Sequence, residues 1–116
     1  MAVAKKVSAI PAAKLELYEK LIATCPEIER KGDVHPYTSV NGHMFTYLDQ
    51  TGVLGMRLPK DEVEAFLNYY KTSLFVSYGA VKKDWVTVPD ALLKDTKKLK
   101  KYLAMSYAHT KTLKPK

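Results

Sequence analysis

The chain has 116 residues, of which 47% are hydrophobic and 27% are charged. This length supports one hydrophobic core, and the composition excludes a disordered or fibrous protein. No run approaches the roughly 18 apolar residues of a membrane helix, and no secretory signal is recognisable, so we expect a cytoplasmic protein without a membrane partner. The one cysteine, Cys25, has no internal disulfide partner, as suits a reducing compartment.

The formal net charge of +7 is unevenly distributed along the chain. Residues 1–81 contain nine basic and nine acidic side chains, whereas residues 82–116 contain ten lysines and three aspartates. The whole excess of positive charge therefore lies in the last third, and it is there that we expect an acidic partner to be attracted.

A helix is predicted over residues 11–24, because Pro11 suits a first helical turn and Pro26 ends the segment. Its apolar side chains occupy neighbouring rows of the helix: Leu15, Leu17, Tyr18, Leu21, Ile22 and Cys25. Residues 1–10 are expected to form a loose arm, and residues 29–34 a loop.

Three short strands are predicted next, at residues 37–40, 43–48 and 53–58. Asn41-Gly42 joins the first two, and both residues accept the positive φ of a type I′ turn. A second reversal at residues 49–52 makes the three strands an antiparallel meander.

The second half of the chain is predicted to contain a helix at residues 60–71, strands at 74–78 and 83–88, a helical turn at 90–93 and a helix at 96–113. Asp95 is placed to cap the last helix. One face of that helix carries Leu99, Tyr102, Leu103, Ser106, Thr110 and Leu113, and the opposite face carries Lys97, Lys100, Lys101 and Lys111.

Three runs of the chain are distinctive: Val40-Asn41-Gly42-His43-Met44-Phe45, Leu54-Gly55-Met56-Arg57-Leu58-Pro59, and Trp85-Val86-Thr87-Val88-Pro89 followed by Leu92-Leu93. With the order of the predicted elements, these runs resemble the TfoX N-terminal domain family over roughly residues 12–113. The resemblance implies a two-layer domain with an antiparallel sheet, similar to type III secretion chaperones and the MmcQ/YjbR group. Full-length TfoX proteins are associated with natural competence and carry a second domain, whereas here we expect a stand-alone domain at residues 1–116.

The predicted fold class is therefore α+β: a two-layer domain in which the long helices cover one face of an antiparallel sheet of about five strands. Such a sheet leaves its other face and two edges in need of cover, so a homodimer is a further expectation.

No catalytic, metal or cofactor site is predicted. Cys25 has no recognisable histidine and aspartate partners, and His35, His43 and His109 lack the short ligand spacings of zinc sites. The Tyr78-x-x-x-Lys82 spacing occurs in short-chain dehydrogenases, but the chain has no glycine-rich dinucleotide turn, so we interpret it as coincidence.

The aromatic residues of the predicted sheet allow two interpretations: they either stack on the bases of a nucleic acid or pack in the hydrophobic core. Strict alternation places Phe45 and Tyr47 on one face of the second strand, with Met44, Thr46 and Leu48 on the other. We favour core packing for these residues and for Trp85, because aromatic residues on a sheet normally meet helices.

For function, the first hypothesis is a non-catalytic protein-interaction or regulatory domain with an unidentified protein partner. The alternative is weak binding of nucleic acid, indifferent to sequence, through Lys97, Lys100, Lys101 and Lys111. An enzyme is the third and least favoured reading, because no converging set of polar groups can be assembled.

Overall fold

The computed structural model describes residues 10–32, 36–77 and 79–115, apart from the side chain of Ser77. Its helices and strands follow in the predicted order: α1 (Ala12–Ile22), β1 (Tyr37–Val40), β2 (His43–Leu48), β3 (Leu54–Arg57), α2 (Lys60–Tyr70), β4 (Leu74–Ser77), β5 (Ala80–Val88), α3 (Asp90–Leu93) and α4 (Thr96–Lys111). The predicted α+β class is confirmed. Outside the described residues lie residues 1–9 of the arm predicted at residues 1–10, His35, Tyr78 and part of the loop predicted at residues 29–34. Ile10, the last residue of the predicted arm, is instead buried in the core.

The five strands form one antiparallel sheet in the order β1-β2-β3-β5-β4. The meander of β1, β2 and β3 is as predicted. β5 pairs with β3 on one side and with β4 on the other, so β4 becomes an edge strand and β5 lies inside the sheet.

The hydrophobic core lies between the helices and one face of the sheet. That face is lined by fully or almost fully buried side chains of β2, β3 and β5: Leu48, Leu54, Met56, Val86 and Val88. α1 contributes Tyr18 and Leu21, and α4 contributes Leu99 and Leu103. The predicted apolar rows of both helices therefore do face the core.

The turn between β1 and β2 has the predicted geometry, because Asn41 and Gly42 have φ values of 57° and 81°. The turn also contacts the far end of the chain. The side-chain amide of Asn41 donates a 2.8 Å hydrogen bond to the carbonyl oxygen of Lys111, close to the end of α4. The hairpin thereby satisfies one of the carbonyl groups that a helix end leaves without a partner.

The predicted position of Phe45 is wrong. Thr38 pairs with Thr46 and Ser39 pairs with Met44, so Phe45 is the extra residue of a β-bulge. The bulge interrupts the alternation on which the prediction relied: Phe45 is fully buried against Tyr107 of α4, with ring centroids 5.6 Å apart. Tyr47 instead meets Phe75 on the opposite face of the sheet.

The boundaries of several other elements also differ from prediction by one to three residues. β5 begins at Ala80 rather than at residue 83, because Ala80, Val81 and Lys82 pair with β4. Their side chains are exposed, and an exposed edge hairpin tolerates lysine in a strand. α1 ends at Ile22 rather than at residue 24, and α4 ends at Lys111 rather than at residue 113.

Candidate binding groove between helices α2 and α4

α2 has the helix-starting signals that its sequence predicts. Pro59 precedes it, Asp61 and Glu62 lie in its first turn, and Lys71 ends it in the left-handed region with φ of 52°. Carboxylates in the first turn are stabilised by the positive end of the helix dipole. Val63 and Phe66 are the buried residues of this helix, which fixes which side faces the core.

α4 is positioned by its cap and by a buried polar row. The Asp95 carboxylate accepts a hydrogen bond from the backbone N–H of Lys98 at 3.2 Å. Further along, Ser106 is fully buried and its hydroxyl lies 3.5 Å from the carbonyl oxygen of Phe45, while the Thr110 hydroxyl donates to the carbonyl oxygen of Ser106. Of these contacts, the one between Ser106 and Phe45 joins α4 to β2, whereas the other two lie within α4 and its cap.

Between the two helices lies an open groove of about 530 Å³. Each helix contributes positions spaced i, i+3, i+4 and i+7, which form one face of a helix. The lining residues are Glu62, Ala65, Phe66, Tyr69 and Tyr70 from α2, and Lys98, Lys101, Tyr102 and Met105 from α4. The groove is thus lined, on each helix, by the side chains next to those that face the core.

Four aromatic rings meet in this groove. Phe66 lies edge-to-face against Tyr102, with ring centroids 5.0 Å apart, and Tyr70 contacts both rings at 4.7 and 5.8 Å. Tyr69 stands perpendicular to Tyr70 at 4.7 Å, and its surface is 73% exposed. The four residues named here form the aromatic cluster.

Within the aromatic cluster, the hydroxyl group of Tyr70 remains protonated at neutral pH. Burial raises the pKa of Tyr70 above its ordinary value, and the hydrogen bond between its hydroxyl and that of Tyr102, at 3.4 Å, acts in the same direction. A phenol whose pKa is raised is a hydrogen-bond donor rather than a base.

The two walls of the groove carry opposite charges. The α4 wall presents Lys98 and Lys101, both exposed, and the α2 wall presents Glu62. Lys97 and Lys100 lie in the same two turns of α4 but outside the groove. No described carboxylate forms an ion pair with any of these four lysines.

The structure separates the lysines singled out from the sequence. All four are exposed, but of them only Lys101 lines the groove. Lys111 lies ten residues further along α4, roughly 15 Å away along the axis, with its ammonium group 4.7 Å from the centre of the Tyr107 ring. Sequence reasoning missed Lys98, although its position beside the apolar row of α4 could have indicated it.

The other candidate residues have structural roles where the structure describes them. Cys25 is half-buried and packs against the core. His43 lies 2.8 Å from the carbonyl oxygen of Lys114. Trp85 is 7% exposed, stacked on Phe75 and covered by the Arg57 guanidinium. Within residues 10–32, 36–77 and 79–115, no three His, Cys, Asp or Glu side chains are placed to hold a metal ion.

Compared with models of protein families, with curated proteins and with solved structures, the chain matches none significantly. The resemblance to the TfoX N-terminal domain family therefore stays a prediction. Among the helices that the structure describes, none is both long and apolar enough to cross a membrane.

Proposed function

We propose that this protein is a non-catalytic binding domain of the TfoX N-terminal type, acting in the cytoplasm, and that its ligand binds in the groove between α2 and α4. The observation that carries the proposal is the aromatic cluster that lines a 530 Å³ groove, from buried Phe66 through half-buried Tyr70 and Tyr102 to Tyr69, which is 73% exposed. Single exposed apolar residues are normal, but four adjoining rings that line a concave surface are typical of an interaction site.

The polar groups of the groove favour binding over catalysis. They are two ammonium groups, one carboxylate and tyrosine hydroxyls, and the raised pKa of Tyr70 keeps its hydroxyl from acting as a base. An acid or base needs a pKa near the working pH and a nucleophile or substrate group within hydrogen-bond reach. Tyrosine and lysine in this arrangement instead offer stacking area, hydrogen-bond donors and positive charge.

The test is a screen of small aromatic fragments against the ¹⁵N-labelled protein, followed by amide chemical shifts. We expect the shift changes to concentrate on residues 62–70 and 98–105. Ala65→Trp should abolish them, because Ala65 is exposed and lines the groove, so a large side chain there fills it.

The matched control is Ala104→Trp, which places the same side chain at an exposed position of α4 outside the groove. This variant should bind fragments as the wild type does. Fragments that bind elsewhere, or that bind Ala65→Trp equally well, would contradict the assignment of the groove.

A second candidate function is weak binding of nucleic acid, favoured by the exposure of Lys97, Lys100, Lys101 and Lys111. If all four contact duplex phosphates, the logarithm of the binding constant should fall against that of the salt concentration with a slope of about −3 to −4. Changing all four to glutamate should abolish binding and leave the circular dichroism spectrum unchanged. Failure of duplex DNA, single strands and RNA to bind at low salt would contradict this function.

A further inference from the structure

We propose that the partner in the groove is an acidic amphipathic helix of another protein. Its large apolar side chains would pack on the accessible surface of the aromatic cluster, and its carboxylates would face Lys98 and Lys101. This inference rests on the proposed function and adds the chemical class of the ligand to it.

The dimensions of the groove suit a helix. The lining residues of α4 run from Lys98 to Met105, a rise of roughly 10 Å, or about two helical turns. A helix that docks in such a groove contributes anchors at i, i+3 or i+4, and i+7 over about the same length. Met105 supplies a flexible, polarizable surface that adapts to differently shaped apolar anchors.

The placement of the lysines indicates a negatively charged partner. Lys97, Lys98, Lys100 and Lys101 lie in the first two turns of α4, at the positive end of the helix dipole. Lysines at that end oppose the dipole and repel one another; the single N-cap carboxylate of Asp95 offsets part of this charge, and α4 has no acidic residue in its first turn. Since no described carboxylate forms an ion pair with them, an approaching anion would relieve this repulsion.

The charge of the opposite wall selects a peptide over a nucleic acid. Glu62 lines the α2 wall, and Asp61 beside it is exposed. A nucleic acid carries negative charge along its whole backbone, so these carboxylates would repel the part that lies on α2. An amphipathic helix can place its acids on the α4 side alone, and this asymmetry would also fix its direction in the groove.

The proposal is tested with a displayed library of randomised 16-residue helical peptides, selected on the wild-type protein. We expect enriched peptides to combine large apolar residues at i, i+3 or i+4, and i+7 with aspartate or glutamate along one flank. A fluorescein-labelled synthetic peptide of the leading sequence then gives dissociation constants by anisotropy. Enriched peptides without acidic residues would overturn the proposal.

Two charge-reversed variants provide the matched comparison. Lys98→Glu with Lys101→Glu should weaken peptide binding about tenfold or more, because both side chains line the groove. Lys97→Glu with Lys100→Glu makes the same change of net charge in the same turns of α4, outside the groove, and should weaken it less than about threefold. Equal losses of peptide affinity in the two variants would show that the peptide is attracted to the basic helix as a whole, and would overturn the proposal that it docks in the groove.

Labelled single-stranded oligothymidylate and duplex DNA serve as competing probes. If either nucleic acid displaces the peptide from the wild type, and if its binding is lost in the variant with Lys98→Glu and Lys101→Glu, the groove is a nucleic-acid site and the proposal is overturned. If aromatic fragments bind the groove but no acidic peptide is enriched, this inference fails and the proposed function stands. If neither binds there, both fail.

Discussion

Gly55 lies beneath the ring of Phe75, on the face of the sheet opposite the helices. A Cβ atom at Gly55 would lie 2.5 Å from a ring carbon of Phe75, and Phe75 is 2% exposed. Tyr47 and Trp85 contact the Phe75 ring, at centroid distances of 6.2 and 6.0 Å. The absence of a side chain at residue 55 therefore makes room for the centre of this second apolar cluster.

We predict that Gly55→Ala lowers the free energy of unfolding by about 1–3 kcal/mol, the usual range for an overpacked site. The penalty is steric, because Gly55 does not have a positive φ. In a Phe75→Leu background, the same substitution should lower stability by less than half as much. Urea denaturation of the four proteins measures this, and equal losses in both backgrounds would contradict the prediction.

Tyr18 joins a buried chain of hydroxyl groups between α1 and the sheet. Its hydroxyl lies 2.7 Å from that of Thr46, which lies 2.6 Å from that of Thr38. All three residues are fully buried. Burial raises the pKa of Tyr18 well above its ordinary value, although the hydrogen bond to Thr46 acts in the opposite direction.

This raised pKa predicts a loss of stability in alkali. Above about pH 10 the unfolded chain ionises its tyrosines while folded Tyr18 keeps its proton, so the unfolded state gains up to about 1.4 kcal/mol per pH unit from this residue. Tyr18→Phe should lower stability at neutral pH by about 0.5–2 kcal/mol. The difference between wild type and Tyr18→Phe should then shrink as pH rises above about 10.

Urea denaturation from neutral pH to about pH 11 measures that difference, and the lysines and the other tyrosines are the same in both proteins, so their titration cancels to first order. A difference that stays constant across the whole range would show that Tyr18 ionises alike in the folded and unfolded states.

At the scale of an element, α4 depends on an N-cap residue, Asp95, whose negative charge is opposite to that of the lysines in the first turns of the helix. The Asp95 side chain accepts from the N–H of Lys98 in a first turn that has no acidic residue. The carboxylate therefore satisfies a backbone donor and also offsets the lysines that follow.

We predict that Asp95→Ala lowers the free energy of unfolding by about 1 kcal/mol. Asp95→Asn should lower it by a smaller amount, about 0.3–1 kcal/mol, because the amide oxygen still accepts the hydrogen bond but the negative charge is lost. Chemical denaturation at low and at high salt separates the two contributions, since salt screens only the charge. An unchanged Asp95→Ala midpoint would contradict a role for the cap.

At the scale of the whole molecule, the sheet face opposite the helices, which we expected to need cover from another molecule, is partly covered by side chains of the sheet itself. Phe75 and Trp85 are buried there, and the Arg57 guanidinium lies 5.5 Å above the centre of the Trp85 ring while pairing with Asp84 at 2.6 Å. The edge strand β4 is less protected, because Val76 and its partner Val81 on β5 are 51% and 58% exposed.

We predict that the protein self-associates at high concentration and that it does so through this β4–β5 hairpin. Light scattering at high concentration should give a mass above that of the monomer, and Val76→Lys with Val81→Lys should restore the monomeric mass, since charge on an edge strand prevents pairing. Ala23→Lys with Ala104→Lys adds equal charge at exposed helix-side positions and should have no effect. A monomeric wild type at high concentration would contradict the prediction.

The type and order of the helices and strands can be predicted from local sequence patterns. Asn41-Gly42 predicted a turn with two positive φ values, and Pro59 with its following acids predicted the start of α2 at Lys60. The spacing of apolar residues predicted which sides of α1 and α4 are buried. These features follow from the sequence because each depends on backbone preferences within a few neighbouring residues.

The way these elements pack against one another follows from long-range contacts, which local patterns do not contain. The insertion of β5 between β3 and β4 and the bulge that redirects Phe45 depend on pairing between distant segments. The groove exists because α2 and α4, 25 residues apart along the chain, bring Phe66 and Tyr102 into contact. Local sequence patterns do not predict that α2 and α4 lie side by side. Lys98 and Tyr69 can therefore be identified as candidate binding residues only from the packing of the two helices.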